Sequence, residues 1–212
     1  MNTKVKNTIT IVLGSLCLIG FFIFLGLICN NYVFKIDRFL EVMSRHRPSA
    51  LTGFVKVFTQ LGTIYAMLVI LLLMLIFFKD KKIGMCAGAG LLISSVAAVL
   101  FKYTVRRPRP VGFMIVEEIG FSFPSAHALL SITFYGLLIY FLAKTIKNKP
   151  LKIIVSILLG LLIVFQGLSR IYLGVHYVSD ILAGYLLGGA IIAFVIFIYP
   201  YIFKLKFLQK FN

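Results

Sequence analysis

The stretch FPSAHALLSITFYGLLIYFLA, residues 123–143, is an apolar segment that opens with a proline and a serine. From residue 126 to residue 143 it contains no Asp, Glu, Lys or Arg. A helix needs roughly 20 apolar residues to cross a hydrocarbon core about 30 Å thick. Because Pro124 and Ser125 favour the start of a helix, the stretch predicts a membrane-spanning helix that begins there.

Similar apolar runs occur along the whole chain, at residues 9–29, 63–78, 83–101, 126–143, 152–168 and 181–203. Of the 212 residues, 61% are hydrophobic and 13% are charged, whereas a soluble domain has roughly 45–50% and about 25%. The sequence therefore predicts an all-α protein, a six-transmembrane helix bundle that forms a single domain over residues 1–212. The first run lacks a small-residue cleavage site and is predicted to remain as the first span.

Residues 30–62 differ from the apolar runs because charged residues alternate there with Phe, Leu, Val and Met at helical spacing. This pattern is typical of amphipathic helices that lie in the membrane interface. Pro48 is expected to divide the segment into two short helices, since proline ends a helix and restricts the residue before it.

The basic residues predict the orientation of the bundle. If all six runs span, twelve lysines lie on the side of the termini: Lys4, Lys6, Lys79, Lys81, Lys82, Lys144, Lys147, Lys149, Lys152, Lys204, Lys206 and Lys210. The opposite side carries five basic residues in polar stretches at the helix ends (Lys102, Arg106, Arg107, Arg109 and Arg170) and five others, Lys35, Arg38, Arg45, Arg47 and Lys56. The positive-inside rule then predicts a multi-pass plasma-membrane protein with cytoplasmic termini and outward-facing polar stretches. A nucleic-acid partner is not expected despite the net charge of +16, because the basic residues form short clusters rather than one stripe.

Three polar stretches fall at the predicted outer ends of helices: KYTVRRPRP at 102–110, FPSAH at 123–127 and SRIYLGVHYVSD at 169–180. The first holds four cations, which suit either an anchor to lipid headgroups or a site for an anion. In the second stretch, the capping of a helix start accounts for the presence of Pro124 and Ser125 but not for that of His127. The first turn of a helix binds anions, and an imidazole beside it can donate a proton.

The third stretch places His176 and Asp180 four residues apart, so that they share one face of a helix. A carboxylate in that position can hold the imidazole in one tautomer, which leaves the other ring nitrogen able to attack an electrophile. Arg170 adds a further donor for phosphate oxygens. The alternative is a structural pair, in which His176 and Asp180 only satisfy each other's hydrogen bonds at a helix end.

Together these residues resemble the type 2 phosphatidic acid phosphatase (PAP2) superfamily, whose pattern is K-x6-R-P, P-S-G-H and S-R-x5-H-x3-D. The residues that carry the resemblance are Lys102, Arg109, Pro110, Pro124, Ser125, His127, Ser169, Arg170, His176 and Asp180. Ala126 stands where the family has glycine. Its backbone N–H is retained, so anion binding is expected to persist in a slightly narrower pocket.

The resemblance implies that His176 is the nucleophile and forms a phosphohistidine, that Asp180 orients it, and that His127 protonates the leaving group. The residues implied to hold the phosphate are Lys102, Arg109, Ser125, Ala126 through its backbone, and Arg170. The resemblance implies no cofactor and no metal, and the chain offers only three histidines and six acidic residues. We interpret Glu117 and Glu118, between the motifs, as solvated loop residues.

The expected function is that of a membrane lipid phosphatase acting at the outer surface. Undecaprenyl diphosphate, phosphatidylglycerol phosphate and phosphatidic acid are the candidate substrates, and the sequence does not choose among them or define an oligomeric state. The alternatives are an anionic-lipid transporter, which has no need of a paired His176 and Asp180 and places its site near the bilayer midplane, and a non-catalytic lipid-binding relative.

Overall fold

The computed structural model describes residues 3–78 and 81–202. Eight helices follow one another along the chain: α1 (Thr3–Cys29), α2 (Phe39–Ser44), α3 (Ser49–Phe58), α4 (Ile64–Phe77), α5 (Lys81–Val105), α6 (Ala126–Thr145), α7 (Lys149–Tyr172) and α8 (Val178–Ile202). Short 3-10 turns precede α2 and follow α3, at Lys35–Arg38 and Thr59–Gly62. The predicted all-α architecture is confirmed, and these described ranges contain no strand.

Five of the helices are long and apolar enough to cross a membrane, namely α1, α5, α6, α7 and α8. The predicted span at 63–78 forms α4, which has 14 residues and rises about 21 Å at 1.5 Å per residue. Together with α3 and the turn that follows it, α4 passes the same test as a pair of helices bent by 55°. The structure therefore has five candidate spans, or the predicted six when the bent pair is counted as one span.

Helix α6 lies at the centre of the bundle and packs against α5, α7 and α8. Leu129, Phe134 and Leu137 on α6 are fully buried. So is Thr133, whose hydroxyl donates to the Leu129 carbonyl at 2.8 Å. A polar side chain is acceptable at this depth because it is surrounded by protein and hydrogen-bonds within its own helix.

Small residues allow α8 to approach its neighbours closely. A side chain at Gly184 would place its Cβ 2.9 Å from the Ser125 carbonyl oxygen and 3.2 Å from the Ala128 Cβ. Contact this close is characteristic of small residues between membrane helices. Gly184 therefore brings the start of α8 against the start of α6. Two of the three polar stretches end at these helix starts.

The predicted division of residues 30–62 at Pro48 is confirmed, since α2 ends at Ser44 and Pro48 is the residue before α3. One face of each short helix packs onto the bundle. Leu40 of α2 is buried against residues of α7 and α8, and Val55 of α3 is buried against the chain that joins those two helices. The two helices thus cover the end of the bundle that carries the polar stretches.

The opposite end of the bundle carries the lysines expected beside the termini. Lys6 of α1 and Lys144 of α6 both approach the ring of Tyr140, at 5.2 and 3.8 Å from its centroid. Lys81 donates to the Leu75 carbonyl at the end of α4. Lys79, Lys204, Lys206, Lys210 and the last residue of the predicted run 181–203 lie outside the described residues.

The contact at Gly184 predicts a position-specific sensitivity to side-chain volume. Gly184→Val should destabilise the protein by about 1–3 kcal/mol, the usual cost of overpacking a core, because the added Cβ meets backbone atoms that cannot move independently. Gly160→Val on α7 is the control, since a Cβ there has no neighbour within 4 Å. Thermal unfolding in detergent measures both, and equal melting temperatures for the two variants would contradict the prediction.

Candidate active site

The three polar stretches converge at one end of the bundle around a cavity of about 280 Å³. Lys102 lies in the last turn of α5, His127 in the first turn of α6, and His176 in the connection between α7 and α8. The cavity is lined by Gly62, Thr63, Ile64, Lys102, Arg109, Glu118, Ile119, Ala126, His127, Leu130 and His176. The convergence predicted from the topology is therefore found in the structure.

His176 and Asp180 form a pair, but not on one face of a helix as their spacing predicts, because His176 lies in the connection before α8 and only Asp180 is helical. Nδ1 of His176 lies 3.4 Å from Oδ2 of Asp180, and both residues are buried. The same carboxylate oxygen accepts the Tyr177 backbone N–H at 3.0 Å. With Nδ1 directed at the carboxylate, Nε2 carries the lone pair in the neutral tautomer, and the ring lies on the wall of the cavity.

The surroundings of His176 favour its neutral form. Burial lowers the pKa of the imidazole well below its ordinary value, and the positive charges of Lys102, Arg109 and Arg170 lower it further. A neutral imidazole retains the lone pair that nucleophilic attack requires. The same cations that suit an anionic ligand therefore also keep this ring unprotonated.

Backbone carbonyls hold two of the cations in place. Lys102 Nζ donates to the Phe121 carbonyl at 2.5 Å. Arg109 donates to the Val175 carbonyl at 2.9 Å, and its Nη1 lies 3.3 Å from Nε2 of His176. Arg106, from the same predicted cluster, is exposed and donates to the Tyr103 carbonyl, so it is not part of the cavity.

The first turn of α6 differs from the cap that its sequence suggests. Ser125 occupies the position before the helix with extended backbone angles, but its hydroxyl makes no capping hydrogen bond. Within the described part of the chain, Ser125 Oγ and His127 Nε2 are buried without a partner. Two polar groups beside a helix start are thus available to a ligand, where the helix dipole favours an anion.

The interpretation of Glu118 as a solvated residue is wrong. Its carboxylate accepts a hydrogen bond from Arg170 Nη2 and lies 3.5 Å from Arg109 Nη2. Only 30% of the side chain is exposed, whereas Glu117 beside it is exposed to solvent. Two arginines expected to bind phosphate are therefore already paired with an internal carboxylate, with which an incoming anion must compete.

Arg107, one of the four cations predicted to suit an anchor or an anion site, instead pairs with carboxylates. Arg107 contacts Asp180 and also Asp37, which comes from the turn before α2. Ser169, whose role the sequence leaves open, hydrogen-bonds to Thr59 at 2.8 Å and ties α7 to the turn before α4. No motif spacing identifies Asp37 or Glu118, because each reaches the site from a separate segment.

In residues 3–78 and 81–202, no three His, Cys, Asp or Glu side chains come together in a way that could hold a metal ion. The ionisable side chains that line the cavity are His127, His176, Lys102, Arg109 and Glu118.

A model of the PAP2 superfamily matches residues 83–204, which is more than half of the chain. The chain therefore belongs to the PAP2 superfamily, as the three motifs indicate. This membership and the apolar helices make it an integral membrane protein.

Curated relatives include a phosphatidylglycerophosphatase B of Bacillus subtilis, 39% identical over 42% of this chain and 44% of the relative. An undecaprenyl-diphosphatase of Sulfolobus acidocaldarius is 28% identical over 76% of each chain. A decaprenylphosphoryl-5-phosphoribose phosphatase of Mycobacterium tuberculosis is 36% identical over 55% of this chain and 62% of the relative. The chain thus matches less than half the length of the first relative and less than two thirds of the third.

Two solved structures share the fold. A transmembrane PAP2-type phosphatidylglycerolphosphate phosphatase from Bacillus subtilis superposes with a TM-score of 0.73 at 25% identity, covering 89% of this chain and 96% of the other. LpxE from Aquifex aeolicus has a TM-score of 0.61 at 23% identity over 74% and 93% of the two chains. The arrangement of helices is therefore that of transmembrane PAP2 proteins.

The pairing of Glu118 predicts that this carboxylate weakens anion binding. Glu118→Gln should bind inorganic phosphate about tenfold more tightly, the effect of removing roughly 1.4 kcal/mol of competition. Glu117→Gln is the matched control and should bind phosphate as the parent protein does. Calorimetric titration of the detergent-solubilised protein measures both, and an unchanged or weaker affinity for Glu118→Gln would show that the two ligands do not compete.

Proposed function

We propose that the protein is a membrane lipid phosphatase that hydrolyses a phosphate monoester or diphosphate of a lipid through a phosphohistidine at His176. The observation that carries the proposal is the buried His176–Asp180 pair on the wall of a cavity that also holds Lys102, Arg109 and His127. The names of the curated relatives support it, since all three describe phosphatases of lipid or prenyl phosphates.

In the first half-reaction, Nε2 of His176 attacks the phosphorus atom and the bond between phosphorus and the leaving oxygen breaks. His127 gives its proton to that oxygen as general acid. Asp180 stabilises the positive charge that develops on the His176 ring, as in other carboxylate–histidine pairs. The products are the dephosphorylated lipid, or a prenyl monophosphate when the substrate is a diphosphate, and the phosphohistidine.

In the second half-reaction, His127 accepts a proton from a water molecule that attacks the phosphorus atom. The bond between phosphorus and Nε2 breaks, and inorganic phosphate leaves. Lys102, Arg109 and Arg170 stabilise the charge spread over the equatorial oxygens in both steps, which is the main contribution a protein makes to phosphoryl transfer.

The cavity suits a phosphate attached to an apolar group. Beside its charged residues it is lined by Ile64, Ile119 and Leu130. Undecaprenyl diphosphate, phosphatidylglycerol phosphate and phosphatidic acid all present a phosphate next to an apolar body and remain the candidate substrates. Phosphate release by the purified protein from a panel of these three lipids in detergent is the direct test, and release from none of them would refute the proposal.

The alternatives explain less of the site. A transporter of anionic lipids requires neither a nucleophile nor an orienting carboxylate, and its site is expected near the bilayer midplane, whereas these residues lie at helix ends. A non-catalytic relative that only binds lipids has no use for the pairing of His176 with Asp180. Lipid binding without phosphate release would favour one of these alternatives.

The nucleophile assignment predicts a covalent intermediate. His176→Ala should reduce turnover by roughly 10⁴-fold or more, as removal of a nucleophile does in other enzymes, and should abolish acid-labile, alkali-stable labelling by a substrate with a radioactive phosphate. The control is His46→Ala, because this third histidine is exposed and lies outside the cavity. Activity should persist in a chelator. Undiminished labelling of His176→Ala, or a strict need for added Mg²⁺, would contradict the mechanism.

The proposed orientation places the site on the outer side of the plasma membrane with the termini in the cytoplasm, and the distribution of basic residues supports it. In a variant without Cys17, Cys29 and Cys86, an impermeant thiol reagent should label Glu117→Cys but not Lys147→Cys in intact spheroplasts. Both positions are exposed, and they flank opposite ends of α6. Labelling in the reverse pattern would invert the topology.

A further inference from the structure

Arg107 holds two carboxylates with one guanidinium group. Its Nη1 donates to Oδ1 of Asp180 at 2.5 Å, and its Nη2 donates to Oδ2 of Asp37 at 3.0 Å. The guanidinium lies 4.2 Å from the centre of the Tyr177 ring. The Arg107 side chain is 14% exposed, that of Asp37 10% and that of Asp180 not at all, so solvent screens these charges weakly.

Asp37 is also bound to the first turn of α8. Its Oδ1 accepts the Ser179 backbone N–H at 2.8 Å, and its Oδ2 accepts the Ser179 hydroxyl at the same distance. The first turn of a helix has backbone N–H groups without helical partners, and its dipole favours a negative charge. A carboxylate from the segment between α1 and α2 therefore fixes the residue adjacent to Asp180.

The two oxygens of Asp180 have different partners. Oδ2 faces Nδ1 of His176 and the Tyr177 N–H, while Oδ1 faces Arg107. The orientation of Asp180, and through it that of His176, therefore depends on where Arg107 lies. Arg107 is itself held on its other side by Asp37.

We propose that Asp37 is a positioning residue for the phosphoryl-transfer step, acting through Arg107 on Asp180. Asp37 holds the Arg107 guanidinium in place, and its negative charge offsets part of the positive charge that Arg107 places beside Asp180. Asp180 then keeps both the orientation and the negative charge that stabilise the His176 ring as it becomes positive. This inference rests on the proposed function, because it concerns the step in which His176 becomes phosphorylated.

The position of Asp37 predicts a separation between substrate binding and chemistry. Asp37 does not line the cavity that contains His127 and His176 but a second one, of about 330 Å³, which Arg107 also lines. Removing its charge should therefore leave the contacts with a bound phosphate intact. The positive charge of Arg107 is then no longer offset by Asp37. The His176 ring would become positive in a less favourable electrostatic environment, so Asp180 stabilises its charge less effectively.

The test compares Asp37→Asn with Asp37→Glu and with the control Glu41→Gln, an exposed carboxylate of α2. The single-turnover rate constant for labelling of His176 should fall by about 10–100-fold in Asp37→Asn, comparable to the loss of a hydrogen-bond partner behind a metal-ligating histidine or carboxylate in metalloproteins. The substrate concentration that gives half-maximal labelling should change less than threefold. Asp37→Glu should recover part of the rate, and Glu41→Gln should retain it.

The rate constant for labelling does not depend on how many molecules are folded, so it separates positioning from a loss of stability. If Asp37→Asn yields no folded protein, Arg107→Lys provides the second test, because it retains the charge but loses the fork that joins the two carboxylates. It should also slow labelling. An unchanged rate constant in the variant that folds, or a loss confined to substrate affinity, would overturn the inference. Absence of labelling in the parent protein would instead refute the phosphohistidine proposal.

Discussion

Asp180 is a carboxylate without solvent exposure at the end of an apolar bundle, and the need to compensate its charge determines much of the site. An ionised carboxylate is costly to bury unless it is paired and hydrogen-bonded. Asp180 receives one N–H from Tyr177, faces His176, and is paired with Arg107. Because Arg107 follows α5 and Asp180 lies in the first turn of α8, this ion pair joins two of the three polar stretches.

The cations around the cavity also need compensation, because like charges brought together in a poorly solvated site repel one another. Lys102, Arg109 and Arg170 are fixed by backbone carbonyls or by the Glu118 carboxylate. Such fixing keeps the donors oriented before a ligand arrives, which is the preorganisation that makes electrostatic stabilisation effective. Glu118 supplies a negative charge beside Arg109 and Arg170, so an incoming anion would replace one negative charge by another and would not enter an uncompensated positive site.

The spans and the convergence of the motifs were predictable from the sequence because both follow from local patterns. Apolar length identifies a span. The four-residue spacing suggests that His176 and Asp180 pair, although the pair forms between the connection before α8 and its first turn and not on one helix face. The roles of Asp37, Arg107 and Glu118 were not predictable, since each depends on a contact between segments 50 or more residues apart in sequence. The start of α6 after Ser125 was predictable from the local sequence, but the lack of a capping hydrogen bond to its hydroxyl was not.

The bend before α4 places residues of the turn on the wall of the cavity. A break in a spanning helix leaves carbonyl groups without helical donors, which is tolerated only where protein supplies them. Tyr135 donates to the Leu61 carbonyl at 2.6 Å, and Gln166 donates to the Phe58 carbonyl at 3.0 Å.

These two donors hold the turn against the start of α6, where Gly62 comes so close that a Cβ would lie 2.8 Å from Cδ2 of His127. The bend therefore places Gly62, Thr63 and Ile64 on the wall of the cavity beside His127, while Tyr135 and Gln166 supply donors to carbonyls of the turn and of the helix end before it.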